Sequence, residues 1–101
     1  MPERPVGDAA EPWRGMREAR QQTNTARYQR CVSQLAAYPY RVQQFNHGAH
    51  WRVDVMGVAV DFWPHTGKYR SQEAGHRIHG TAGDFTEFLA RAHSALALLS
   101  R

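Results

Sequence analysis

The sequence predicts a small α+β domain, and three observations carry that expectation. Two neighbouring segments, "HWRVDV" (50–55) and "VAVDFW" (58–63), alternate apolar and polar residues with the period of a half-buried strand. The C-terminal segment repeats apolar residues every three or four positions: Phe85, Phe88, Leu89, Ala92, Leu96 and Leu99. Upstream, "MREARQQTNTARYQRCVSQLAAY" (16–38) runs without a glycine or proline, as a helix prefers. The expected order is α-β-β-β-α: an antiparallel three-stranded sheet, extended at most by a short fourth strand, with both helices packed on one face.

In chain order, residues 1–14 carry Pro2, Pro5 and Pro12 with only Val6 and Trp13 as large apolar residues, which reads as a flexible tail. A single domain is expected over 15–101. In the first helix Tyr28, Val32 and Leu35, helped by Cys31 and Ala36, share a face, while Arg27, Arg30, Ser33 and Gln34 populate the other. Thr23, Asn24 and Thr25 offer an alternative cap for a shorter helix, and Pro39 is the stop signal. The first strand is "YRVQQF" (40–45), closed by the turn signal Asn46-His47-Gly48.

The next two strands form a hairpin that buries Trp51, Val53, Val55, Val58, Val60 and Phe62 on one face. A Met56-Gly57 turn sets Arg52 opposite Asp61 and His50 opposite Trp63. A Gly57-Val58 turn sets Asp54 against Asp61, so charge favours the first register. Pro64 and Gly67 suit a corner, and a short basic strand "KYR" (68–70) follows. Ser71 to Gly83 reads as a polar loop. Asp84 with Glu87 three positions later is a capping box for the last helix.

Composition narrows the function classes. The chain has 101 residues, enough for one core that buries about 65% of the unfolded surface. No apolar run approaches the length of a membrane span, the N-terminal segment lacks the apolar centre of a signal peptide, and Cys31 is the single cysteine. A cytoplasmic protein with no membrane partner is expected. Lys and Arg total 13 against nine Asp and Glu, and Lys68 is the lone lysine. Arginine grips phosphate in bidentate fashion and stacks on bases, so a nucleic-acid or nucleoprotein partner fits; a genome-wide bias towards arginine yields the same count.

With the hairpin's apolar face covered by helices, His50, Arg52, Asp54, Asp61 and Trp63 fall on an open face. Trp63 there either packs under the following loop or offers a stacking and anchoring surface. The expected binding set is Arg52, Trp63, His65, Lys68, Tyr69 and Arg70, with Arg20, Arg27 and Arg30 extending the footprint. His50, beside Asp61 and Arg52, is the residue for general acid–base work if the protein cleaves RNA; otherwise it is a surface histidine at a strand entry. His76 and His79, with His65 or Glu73, lack a metal-site spacing, and neither a metal nor a cofactor is expected.

Two resemblances add to this reading. From residue 38 to 90 the chain resembles a group of small, mostly uncharacterised bacteriophage and prophage proteins with an (I/V)-D-F-W-P-x-T-G-(K/R) strand and turn. Asp61, Phe62, Trp63, Pro64, Thr66, Gly67 and Lys68 carry that likeness. It implies a nucleic-acid accessory protein or an inhibitor of a bacterial defence system, of the anti-CRISPR kind. More loosely, Gly48-Ala49-His50 and Trp63-Pro64-His65 resemble elements of HicA-type mRNA interferases, which share the α-β-β-β-α order of double-stranded-RNA-binding domains. That likeness implies a ribonuclease using His50, although alanine stands where those toxins carry serine.

Overall fold

In a computed structural model, residues 3–37 and 40–99 are described, with side chains in the first helix from Met16 onward. The order is α1 (Glu3–Ala37), β1 (Val42–Phe45), β2 (His50–Val55), β3 (Val58–Trp63), β4 (Lys68–Ser71), β5 (Ile78–Thr81) and α2 (Phe85–Leu99). The five strands form one antiparallel sheet in sequential order, each paired to the next by a short connection. The α+β class holds, but the sheet is wider than expected. Residues 68–71 make a full strand, and part of the stretch read as a polar loop is β5. The fold thus has two strands more than the α-β-β-β-α order.

β5 was hidden because "IHGT" has one strand-favouring apolar residue, Ile78, followed by histidine and glycine. Pairing supplies what propensity does not. Gly80 lies opposite Tyr69, and a Cβ at Gly80 would come within 2.6 Å of the tyrosine Cζ. The ring therefore covers the glycine and fills the space that a side chain would take.

The β2–β3 register is the one that opposite charges favour: Arg52 pairs with Asp61, Val53 with Val60 and Val55 with Val58. Met56 and Gly57 form the two-residue turn with φ of 54° and 81°, and the Asp54 carboxylate accepts the Gly57 N–H at 3.0 Å. Burial alternates as the sequence implies, and Trp51, Val53, Val55, Val60 and Phe62 are wholly inaccessible. Cys31 of α1 and Phe85, Phe88, Ala92 and Leu96 of α2 join the same cluster, so both helices cover one face. Phe62 and Phe88 stack at 4.4 Å, and Trp51 meets Phe85 edge to face.

α1 begins at Glu3, well before Met16, and takes in residues expected as a tail. Pro5 is compatible with that start, since the first N–H groups of a helix have no partner within it. Tyr38 and Pro39, the expected end and stop, lie outside the described residues. The packed stripe of α1 is Asn24, Arg27, Tyr28, Cys31, Gln34 and Leu35, whereas Val32, expected in the core, is 43% exposed. Polar side chains dock this helix. Gln34 Oε1 accepts the Thr86 N–H at 3.0 Å, and Asp84 Oδ1 accepts the Glu87 N–H at 2.9 Å. Half of the α2 cap is thus lent by α1. Glu87 itself pairs with Arg91 at 2.6 Å instead of completing the capping box.

The corner from Pro64 to Gly67 is where the layers join. Gly67 N–H donates to the Trp63 carbonyl at 2.7 Å, and its own carbonyl accepts the Ala82 N–H at 2.8 Å. A Cβ on Gly67 would sit 2.0 Å from the Ala82 oxygen, at a φ of 79°. Gly57 shares the positive φ but has open space around it. Gly57→Ala is therefore expected to cost about 1 kcal/mol, the strain of the left-handed backbone alone. Gly67→Ala adds a backbone collision, and its urea midpoint should fall much further or the folded state should be lost. Equal midpoints for the two variants would contradict this account.

Burial pushes the Cys31 thiol up to about 11. Its folded value is raised, so this contribution to stability is complete below about pH 9 and is lost as pH rises towards 11. Thiol reagents at neutral pH should label Cys31 only at the rate of unfolding, and labelling as fast as a free thiol would refute this packing.

Candidate nucleic-acid interface

The uncovered face of the sheet is built by register. One row across the strands holds Phe45, His50, Trp63, Lys68 and Thr81; the next holds Gln43, Arg52, Asp61, Arg70 and His79. Neighbouring strands lie about 4.8 Å apart, which is also a ring-stacking distance. His50 and Trp63 use that match: their centroids are 4.8 Å apart and their planes differ by 8°. Phe45 leans on the other side of His50 at 5.3 Å. The three rings stand side by side on the sheet, each held by its neighbour.

The second row supplies the charges that lock the first. Asp61 Oδ1 lies 3.0 Å from His50 Nε2 and accepts from Arg52 Nε at 3.1 Å. The guanidinium of Arg52 lies over the Phe45 ring at 5.5 Å, and that of Arg70 over the Trp63 ring at 5.6 Å. Asp61 thus holds one end of the row, while Arg70, its partner across β3–β4, sits on the aromatic stack. With Asp61 shared between two groups, Lys68 and Arg70 have no carboxylate partner among the described residues.

Of the expected binding set, Arg52, Trp63, Lys68 and Arg70 are brought together on this face. Two members are not. Tyr69 points to the other side, 7% exposed and tilted against Phe88 at 5.3 Å, because it pairs with the core residue Phe62. Alternation along β4 required this, and a strand of three residues had not revealed it. His65 turns towards α1, where its ring stacks on Tyr28 at 4.3 Å and its carbonyl accepts Arg27 Nη1 at 2.7 Å. The corner reverses the chain after Trp63, so strand parity does not carry across it.

The α1 arginines divide in the same way. Arg27 is committed to the corner, Arg30 reaches the Gly83 carbonyl at 3.5 Å, and Arg20 is exposed. Trp63 is not buried under a loop but half-buried between His50 and Arg70. His50 is locked, with 19% of its side chain exposed. His76 lies between β4 and β5, and His79 stands on β5. Among the described residues no three metal-ligating side chains converge, and no helix is long and apolar enough to cross a membrane.

Phe45, His79 and Thr81 belong to the face and were missed. Phe45 was legible only through the pairing of β1 with β2, since Val42 and Phe45 lie on opposite faces of a strand with no clean alternation. His79 and Thr81 follow from β5. No family model, curated protein or solved structure matches the chain.

The two faces make a stability contrast. Tyr69→Ala removes a core ring and should cost about 3 kcal/mol. Trp63→Ala removes a half-exposed ring whose stacking with His50 is worth about 1 kcal/mol. Chemical denaturation of both variants measures the difference, and a larger loss for Trp63→Ala would place that ring in the core instead.

Proposed function

We propose that this protein binds nucleic acid, without catalysis, through the open face of its sheet, as a small accessory protein of phage or prophage type. The observation that carries the reading is the row of Phe45, His50 and Trp63 flanked by Arg52, Lys68 and Arg70. Aromatic rings with interleaved cations on an uncovered sheet suit a polyanion that also carries rings. The resemblance of the Asp61–Lys68 stretch to phage proteins supplies the biological setting. His50 in this reading is a platform residue: its ring is stacked and its Nε2 is held by Asp61.

Titration of labelled DNA and RNA oligonucleotides over a range of salt tests the proposal. Three phosphate contacts predict a slope of about −2 for log K against log salt on single strands, and Lys68→Ala or Arg70→Ala should each flatten it by about 0.7. Absence of binding, or binding indifferent to salt, overturns it. Should a bacterial protein then be recovered by the wild type and not by Trp63→Ala, the face is a protein-docking surface of the defence-inhibitor kind. RNA cleavage that vanishes in His50→Ala would make the protein a HicA-like ribonuclease.

A further inference from the structure

At the β4 side of the aromatic row, Trp63 has a ring face covered by the Arg70 guanidinium and not by a second ring among the described residues. Trp63 gives one side of its indole to His50 at 4.8 Å, and the other side looks across β4 towards β5. There it lines a cleft of about 560 Å³ together with Thr66, Lys68, Arg70, His79 and Thr81. This size lies within the range of small-molecule sites. Among the described residues no carboxylate lines the cleft, whereas Lys68, Arg70 and His79 do. A groove at the opposite end of the same face differs in kind, since Asp54 and Glu73 help to line it.

Dimensions and charge together define the occupant. Trp63 and Thr81 lie two strands apart in one row, with Lys68 between them. Two strand spacings are about 9.6 Å. A planar ring stacked on the indole and touching β5 needs two contacts of about 3.5 Å each. One aromatic ring system fits, provided the flexible Lys68 side chain moves towards solvent. Arg70 already lies over this side of the indole at 5.6 Å, which shows that the face accepts a planar cationic group.

We infer that the Trp63–Thr81 cleft is a nucleotide slot that takes one unstacked base of a single-stranded nucleic acid. The base lies on the outer face of Trp63 and displaces the Arg70 guanidinium, which moves with Lys68 onto the adjoining phosphates. His79 closes the slot from β5. Bases in a duplex are already stacked and cannot enter, so the slot selects single strands. The inference rests on the open-face reading and goes beyond it by fixing the strandedness and the position of a base.

Equilibrium binding of an oligonucleotide and an abasic oligonucleotide of equal length separates the two readings, because the abasic strand keeps every phosphate and loses the bases. Wild type should prefer the base-bearing strand by about tenfold or more. That preference should shrink to about twofold or less in Trp63→Ala and in Thr81→Phe, which fills the slot from an exposed position on β5 and leaves Trp63 itself unchanged. Equal affinity of wild type for both strands overturns the slot and leaves the open-face reading intact. A preference that survives in both variants places the bases elsewhere and also overturns it. Failure of both strands to bind overturns the open-face reading itself.

Discussion

The contact between Gly67 and Ala82 organises this molecule. The Gly67 carbonyl accepts the Ala82 N–H at 2.8 Å, so the corner after β3 is tied to the link between β5 and α2. Arg27 of α1 donates to the His65 carbonyl in the same corner. Pro64 is wholly buried there, and its carbonyl faces the Cys31 sulfur at 4.0 Å. One short turn therefore joins both helices to the sheet. Only glycine allows the approach, because any Cβ would enter the Ala82 carbonyl.

This anchorage explains why the two sides of "DFWPHTGK" differ in character. Phe62, Pro64, His65 and Gly67 face the helices and hold the fold, while Trp63 and Lys68 face the other way. A sheet fixed firmly along one face can carry a precise arrangement of rings and charges on the other. The His50–Trp63 stack, the shared Asp61 carboxylate and the two arginines over aromatic rings need strand spacing and register held to fractions of an ångström. The buried hairpin beneath them provides that rigidity.

α1 shows a different economy. Its packed stripe mixes Tyr28, Cys31 and Leu35 with Asn24, Arg27 and Gln34, so it docks as much by donors and acceptors as by apolar area. Gln34 caps α2, Arg27 meets the corner and Arg30 reaches Gly83. These bonds satisfy carbonyl and N–H groups at chain reversals that the sheet itself leaves unpaired. The Nε of Arg27 has no partner among the described residues, a cost accepted where the side chain threads past Gly67.

Sequence alone determined what depends on neighbours along the chain. Alternation in β2 and β3, the charge pairing that chose the Met56-Gly57 turn, and the Asp84 cap of α2 are all local, and all stand in the structure. Arg52 and Trp63 could be placed on one face from strand parity and the β2–β3 register. Tertiary structure decided the rest. β5 exists because Tyr69 covers Gly80, a pairing that the composition of "IHGT" does not announce. Tyr69 and His65 lie off the open face because one pairs opposite Phe62 and the other stacks on a helix distant in sequence. Phe45 stands on that face through the β1–β2 register. Local pattern fixes which way a side chain leaves its own strand; only the folded chain fixes what stands on the next one.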